Sequence, residues 1–351
     1  MKLAVKPSIV CICIFLSNYT FSQTEMSTLA ISLPPTHSSL QIVHSDRHHT
    51  GGFSTLSFSS DCSTLTTISD YSQAANSQLD QAVRRSGWYQ AKVEFNTDDT
   101  LKSLNFNSKG QLKNLKGEIL QGATESMAKE SNGYLVSFDD RGTIYRYHAS
   151  NKEPIALNNI PTIAFQQSNL GDGNLGLESI ALLDKEHLLA LWETKKDESK
   201  AVGRLLSRDG KIKDINYFAG ASPGGLAKLS NGNLLVLEKR WLGAKGQRLR
   251  LVELDKSIFT SIKNSESPST IHGKVLLDSV EVEYDNNEGI SSCVRNGKEW
   301  IFVITDDNGD WPSRNVEDKG YKRQRTLLMQ FDLEQLRSRS KSSVIRSSQN
   351  N

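Results

Sequence analysis

A unit of two short strands joined by a tight polar turn recurs along this chain, and this recurrence constrains the fold more than any other feature. In the clearest unit, a polar segment carrying Glu288 enters one strand, Asn296-Gly297 turns the chain, and the apolar run 300–304 leads to Asp306. An Asn-Gly pair between apolar runs is a strong signal for a β-hairpin. The unit therefore predicts an antiparallel hairpin that presents a carboxylate at the end of a strand.

Similar units precede it along the chain, beginning near Phe53, Glu125, Glu178 and Pro223. From the residue that enters a unit to the acid that ends it, the last four units span 14 to 18 residues. The units recur about every 50 to 70 residues, which is the size of one blade of antiparallel strands. A run such as 234–237, apolar on both faces, is typical of a fully buried strand.

We therefore predict an all-β fold, a β-propeller with six blades, of which five are clear in the sequence. Closing the sheets into a ring leaves no long open edge. We expect the sixth blade within residues 95–120 or 155–170, or from strands contributed by the two ends of the chain.

The N-terminal residues have the pattern of a secretory signal peptide, predicted over 1–23. Lys2 and Lys6 precede the apolar run 9–16, which is too short to span a bilayer, and polar and small residues follow it. The alternative is a buried N-terminal strand. We expect a periplasmic or secreted protein with no transmembrane segment.

The rest of the chain divides by composition. Residues 24–42 are rich in Ser, Thr and Pro and predict an N-terminal extension, 43–334 form the propeller, and 335–351 form a basic, Ser-rich tail without fixed structure. The 42 Lys and Arg residues nearly balance the 40 Asp and Glu residues, giving a net charge of +2 that argues against a nucleic-acid partner. We expect a monomer that acts on a small molecule.

Two cysteines remain after the predicted signal peptide, Cys62 and Cys293. They follow the inner strands of the first and last predicted blades, which are neighbours in a closed ring. In an oxidising compartment the two cysteines are compatible with one disulfide or with two buried thiols.

Acidic residues at the strand ends are the candidates for chemistry. Inner strands of a propeller line a central channel, so residues at their ends converge at one mouth. The acids that mark these ends are Asp70, Glu125, Asp139, Asp140, Glu178, Glu193, Glu238, Glu288 and Asp306. A ring of carboxylates is stable only if its members are protonated, paired with cations or bridged by a metal, and Ca²⁺ suits such a ring. The alternative is that each acid binds backbone amides of a neighbouring blade.

Other reaction classes lack their motifs. The sequence has no Gly-x-Ser-x-Gly elbow, no P-loop, no dinucleotide-binding glycine fingerprint and no His-Glu-x-x-His.

Five short motifs resemble the bacterial "esterase-like activity of phytase" family over about residues 50 to 333. They are Glu178 in Leu-Glu-Ser-Ile-Ala, the run 235–240, the run 287–290, the run 306–308 and the run 324–326. The resemblance implies an exported propeller with an acidic central site and phosphoesterase or esterase activity. The chain departs from the family pattern at Ser126 and Ser179, where glycine is expected, at Asp139-Asp140, where Glu-Arg is expected, and at Lys239, which stands between Glu238 and Arg240.

The predicted hydrolase therefore has three groups of site residues. The catalytic group is Glu238, Glu288 and Arg240. The substrate-binding group is Arg325, Gln324, Asn308 and Lys239. The group predicted to hold Ca²⁺ is Glu125, Glu178, Glu193 and Asp306. The rival hypotheses are a non-catalytic propeller that binds a small ligand, a glycan or a protein at the same mouth, and a purely structural calcium.

Overall fold

In a computed structural model, the chain forms five β-sheets arranged as the blades of a propeller. The described residues are 26–33, 35–44, 52–69, 86–120, 124–138, 141–152, 155–166, 176–194, 199–242, 246–264, 269–281, 285–307 and 325–348. The predicted signal peptide lies outside them.

The first two described strands are β1 (Met26–Ile31) and β2 (Ser38–His44), and they belong to the last blade. The first blade contains β3 (Ser57–Phe58), β4 (Thr64–Ser69), β5 (Gly87–Phe95) and β6 (Leu101–Gln111). The second blade contains β7 (Thr124–Glu130), β8 (Gly133–Phe138), β9 (Arg141–His148) and β10 (Thr162–Gln166), with a short 3-10 helix at Ala156–Asn158.

The third blade contains β11 (Ser179–Leu182), β12 (His187–Leu191), β13 (Lys200–Ser207) and β14 (Ile212–Phe218). The fourth contains β15 (Ser222–Lys228), β16 (Leu234–Trp241), β17 (Gln247–Leu254) and, after helix α1 (Lys256–Asn264) and strand β18 (Ser269–Ile271), strand β19 (Lys274–Glu281). Strand β18 joins the edge of the third blade, parallel to β14. The fifth blade contains β20 (Asn286–Arg295), β21 (Lys298–Asp306) and β22 (Thr326–Asp332), and helix α2 (Leu333–Ser348) follows it.

The two ends of the chain close the ring within the fifth blade. Strand β2 pairs antiparallel with β22, and β1 pairs antiparallel with β2. A disulfide between Cys62 and Cys293, whose Cα atoms are 5.4 Å apart, also joins the first blade to the fifth. The ring is thus closed by both hydrogen bonds and a covalent bond.

Several predictions about organisation need correction. The described residues form five blades, and a sixth is not confirmed: 101–111 and 162–166 are the outer strands β6 and β10 of the first two blades. The segment predicted as an N-terminal extension supplies β1 and most of β2, because its alternating apolar residues Leu40 and Ile42 pack into the core. Residues 335–348 of the segment predicted as an unstructured tail belong to helix α2.

The core lies between the blades. The four residues Leu234 to Leu237 of β16 are fully buried, as predicted for a strand apolar on both faces. The predicted turn between β20 and β21 also forms: Asn296 and Gly297 have φ values of 51° and 74°, the left-handed backbone that an Asn-Gly hairpin turn requires.

The inner strands β3, β7, β11, β15 and β20 surround a central channel. Residues of these strands and of the segments next to them line a cavity of about 430 Å³ within it. In the described part of the chain, no helix is long and apolar enough to cross a membrane.

Candidate functional site

The candidate site lies at the mouth of the central channel where the inner strands begin. Glu178 immediately precedes β11 of the third blade, and Glu288 lies near the start of β20 in the fifth. Lys239 lies near the end of β16, in the blade between them. Because β16 runs antiparallel to its inner neighbour β15, its end meets the start of the inner strands.

Two consecutive glycines let the side chain of Lys239 pass β15. A Cβ atom at Gly224 would lie 2.9 Å from Cδ of Lys239 and 3.2 Å from the carbonyl oxygen of Asn287. A Cβ atom at Gly225 would lie 3.0 Å from the carbonyl oxygen of Glu288. The pair of glycines therefore brings the fourth and fifth blades into close contact at this mouth.

The ammonium group of Lys239 joins two carboxylates from different blades. Its Nζ atom forms an ion pair with Glu178, at 3.2 Å from Oε2, and a direct ion pair with Glu288. Both glutamates are 7% exposed, and the Lys239 side chain is 13% exposed. Asn286 donates a hydrogen bond from Nδ2 to Oε1 of Glu288 at 2.5 Å, which orients that carboxylate. We call Glu178, Lys239 and Glu288 the mouth triad.

A third carboxylate, that of Glu193, acts on the triad electrostatically. Burial is the main cause that raises the pKa of Glu178 to about 8; Lys239 opposes it, and the charges of Glu288 and Glu193 add to it. Burial alone would lower the pKa of Lys239, but the carboxylates of Glu178, Glu288 and Glu193 hold it well above its usual range. At neutral pH Lys239 is therefore charged and Glu178 is largely protonated.

Glu238, predicted to be catalytic, is bound elsewhere. It is fully buried and accepts hydrogen bonds from the hydroxyl of Tyr217 and from the backbone amides of Gly220 and Ala221, both at 3.1 Å. Its carboxylate also forms an ion pair with Arg250. Burial raises the pKa of Glu238 in spite of these partners. Among the described residues, none of these contacts is to a member of the mouth triad, so the geometry matches the alternative of an acid that binds neighbouring amides.

A second group of buried polar residues lies at the same end of the fifth blade. Arg325 donates from Nε to Oδ2 of Asp285 at 3.0 Å, so the guanidinium predicted to bind substrate has a buried carboxylate partner. Asp306 is buried and opposite Asn286 in the pairing of β20 with β21. Asp307 accepts hydrogen bonds from the amide of Gly52 at 2.8 Å and from the hydroxyl of Thr326 at 3.0 Å.

The remaining predicted site residues are half-buried or lie outside the described residues. Glu125, near the start of β7, and Arg240, near the end of β16, are half-buried. Asn308 and Gln324 lie outside the described residues. The structure thus brings together Glu178, Glu193, Glu288 and Lys239, and it places Glu238 and Arg325 in ion pairs of their own.

Sequence reasoning missed the residues that bind the predicted ones. Asp285 and Asn286 belong to the polar segment that carries Glu288, and the strand-end pattern predicts no role for them. Tyr217 and Arg250 lie on β14 and β17, where nothing marks them in the sequence. Arg250 faces Glu238 in the pairing of β16 with β17, a relationship that becomes visible only once the strand register is known.

The predicted calcium site does not fit these side chains. In the described part of the chain, no group of three His, Cys, Asp or Glu residues is placed to hold a metal ion. Between Glu178 and Glu288 the positive charge is supplied by Lys239. Calcium therefore stays a prediction from the sequence.

Comparison with known protein families decides where this propeller belongs. The model of the family described as "Phytase-like: Esterase-like activity of phytase" matches residues 48–309, more than half of the chain. This chain belongs to the phytase-like family. A search of curated proteins finds no match to it.

The solved structures that match this phytase-like chain have low sequence identity to it. A nidogen/laminin complex is 10% identical with a TM-score of 0.39, covering 80% of this chain and 88% of that one. An α-L-arabinofuranosidase from Podospora anserina in complex with cellotriose is 11% identical with a TM-score of 0.43, covering 88% and 98%. A Trypanosoma rangeli sialidase in complex with sialic acid is 12% identical with a TM-score of 0.45, covering 89% of this chain and 51% of the sialidase.

Proposed function

We propose that this phytase-like protein is an exported hydrolase of phosphate or carboxylic esters that acts at the channel mouth. The observation that carries the proposal is the mouth triad, in which three blades bring two buried carboxylates and an ammonium group together. The family supports an ester substrate. The disulfide supports export, since such bonds persist in oxidising compartments.

The two carboxylates of the triad suit different parts of a hydrolysis. A carboxylic acid with a pKa of about 8, as burial gives Glu178, is protonated at neutral pH and acts as a general acid. It donates its proton to the leaving alcohol oxygen as the bond from that oxygen to carbon or phosphorus breaks. Glu288, oriented by Asn286, accepts a proton from the attacking water.

The positive groups of the mouth suit the charge that develops in the reaction. Water attack on an ester places negative charge on the carbonyl or phosphoryl oxygens, and buried cations stabilise that charge strongly. Lys239 is positively charged within the triad, and Arg240 follows it on β16. Glu238 and Arg250 hold the strand that carries them, so we assign Glu238 a positioning role rather than a catalytic one.

The test is turnover by the mature chain, residues 24–351, of a generic carboxylic ester and a generic phosphoester. We expect Glu288→Gln and Glu178→Gln each to lower kcat by about 10²-fold or more. Glu94→Gln is the matched control, because Glu94 is an exposed glutamate on β5 that pairs with Lys102. Equal activity in all three variants and the wild type would remove the triad from catalysis.

A second candidate is a non-catalytic propeller that binds a small ligand, a glycan or a protein at this mouth. The observation that favours it is Trp241, which follows Arg240 at the end of β16 and is 45% exposed. Tryptophan is enriched among the residues that dominate binding surfaces. No turnover of either ester by the wild type, together with ligand binding that is weakened by Trp241→Ala, would favour this candidate.

A further inference from the structure

The cavity of about 430 Å³ in the central channel lies at the end opposite the mouth triad. It is lined by residues at the ends of the inner strands, such as Leu182 of β11 and Lys228 of β15. No member of the mouth triad is among the described residues that line it. Ligand pockets typically have volumes of about 300 to 1,000 Å³. The cavity is therefore large enough for a small ligand and is separate from the mouth.

The wall of this cavity that is nearest to the mouth is apolar. Ile180 and Ile290 follow Glu178 and Glu288 by two positions, so they lie one step further along the same inner strands. With them, the inner segment of every blade contributes one apolar side chain that is at most 8% exposed: Leu56, Met127, Ile180, Leu226 and Ile290. We call these five side chains the apolar layer. Such a layer binds aliphatic groups by removing them from water.

The opposite, solvent-exposed end of the cavity carries two ammonium groups. Lys129 of the second blade and Lys228 of the fourth both line it and are exposed, and Leu182 of the third blade lies between them in the order of the ring. The ammonium group of Lys228 donates a hydrogen bond to the carbonyl oxygen of Leu183. Lys129 has no partner in the part of the chain that the structure describes. Both ammonium groups can therefore donate further hydrogen bonds to a ligand.

The cavity itself supplies no negative charge to these lysines. Among the described residues that line it, none is Asp or Glu. Glu130, which follows Lys129, forms ion pairs with Arg146 at 2.8 Å and Arg208 at 2.7 Å. Asp184, near the end of β11, forms an ion pair with Lys263.

From this arrangement we propose that the end of the channel opposite the mouth binds an aliphatic carboxylate. Its chain lies against the apolar layer, and its carboxylate accepts hydrogen bonds from the ammonium groups of Lys129 and Lys228. Charge-assisted hydrogen bonds of this kind are stronger than those between neutral groups. The inference concerns binding at a site that the proposed hydrolysis does not use, so it holds or fails independently of turnover.

The experiment is isothermal titration calorimetry of the mature chain with hexanoate. We expect hexanoate to bind with a Kd of about 10⁻³ M or below, which is within reach of a ligand of this size. Hexan-1-ol has the same chain without the charge, and inorganic phosphate has charge without the chain. We expect each of them to bind at least about 10-fold more weakly than hexanoate.

The variant that tests the cations is Lys129→Met with Lys228→Met, which keeps unbranched side chains and removes both charges. We expect hexanoate binding to weaken by at least about 10-fold and hexan-1-ol binding to stay the same. Lys211→Met is the matched control, because Lys211 is an exposed lysine that pairs with Asp209 and does not line the cavity. Glu288→Gln separates this site from the mouth, and we expect it to leave hexanoate binding unchanged.

A thermal melt checks that each variant is folded. If the double variant is not, Lys129→Met alone keeps the hydrogen bond of Lys228 to Leu183 and should weaken hexanoate binding by about 3-fold or more.

Four results would overturn the proposal. The first is no binding of hexanoate to the wild type at millimolar concentration. The second is equal binding of hexanoate to the wild type and to the folded lysine variant, which would leave an apolar cavity without a role for the cations. The third is phosphate binding as tight as that of hexanoate, which would remove the apolar layer from the site. The fourth is loss of hexanoate binding in Glu288→Gln, which would place the ligand at the mouth.

Discussion

The ammonium group of Lys239 lies 3.2 Å from Oε2 of Glu178, although the two residues come from adjacent blades and are 61 positions apart in the sequence. Glu288 of the fifth blade completes the contact from the other side. Lys239, one of the four predicted substrate-binding residues, thus lies at the centre of the mouth triad.

The stability of the folded protein should fall as the pH rises from about 5 to about 8. Burial raises the pKa of Glu178 in the folded state to about 8, from a usual value of 4.5, so the folded state binds a proton that the unfolded state releases. The stabilisation from this group is full below pH 4.5 and is lost as the pH passes 8. Urea unfolding at several pH values measures the slope.

Glu178→Gln is the control for that slope, because glutamine resembles the protonated acid and does not titrate. We expect the variant to be about as stable as the wild type near pH 5 and more stable near pH 9. A variant with the same pH slope as the wild type would show that Glu178 does not hold its proton.

Glu238→Gln should destabilise the fold by about 1.5–3 kcal/mol, because it removes the buried ion pair with Arg250, whose guanidinium keeps Asp278 as its other carboxylate partner. Tyr217→Phe, which removes only one hydrogen bond to the same carboxylate, should cost about 1 kcal/mol. Denaturant unfolding measures both. A Glu238→Gln variant with normal stability and no ester turnover would instead place Glu238 in catalysis.

Gly224→Ala should lower stability by about 1–3 kcal/mol, because the new methyl group overlaps the Lys239 side chain. Shortening that side chain in Lys239→Ala relieves part of the overlap. We therefore expect the cost of Gly224→Ala to be smaller in the Lys239→Ala background, by at least about 0.5 kcal/mol in a double-mutant cycle. Strict additivity of the two changes would contradict the packing described for this gap.

The Cys62–Cys293 disulfide should stabilise the ring by about 2–5 kcal/mol, because it closes a loop over 231 positions of the chain and joins the first blade to the last. Cys62→Ser with Cys293→Ser tests this by urea unfolding. Reduction of the wild type by dithiothreitol should give the same loss, and reductant should not change the double variant. Equal stability of the oxidised wild type and the double variant would show that β1 and β2 close the ring without help.

The propeller architecture could be predicted from the sequence because the blades repeat the same hairpin pattern of two strands and a polar turn. Asn296-Gly297 and the apolar run 234–237 each predict their own structure, and both predictions are confirmed. The number of blades was not accessible in the same way. Strands β6 and β10 lack the turn-and-acid pattern, so the sequence does not show that they are outer strands of blades already counted.

The site was only partly accessible, for a physical reason. An acid at a strand end looks the same in sequence whether it pairs with Lys239, as Glu288 does, or with Arg250, as Glu238 does. Successive side chains of an extended strand point to opposite faces, so a shift of one position changes the neighbours that a side chain contacts. Lys239 and Glu238 are adjacent on β16 and so bind different partners.

The most direct test of the account is a high-resolution crystal structure of the mature protein grown with 5 mM Ca²⁺, a concentration at which a site with a Kd of about 10⁻³ M or below is mostly occupied. We expect the Lys239 Nζ atom to lie between Glu178 and Glu288, with no cation density beside either carboxylate. Cation density coordinated by Glu178 and Glu288, with the Lys239 side chain turned away, would contradict it.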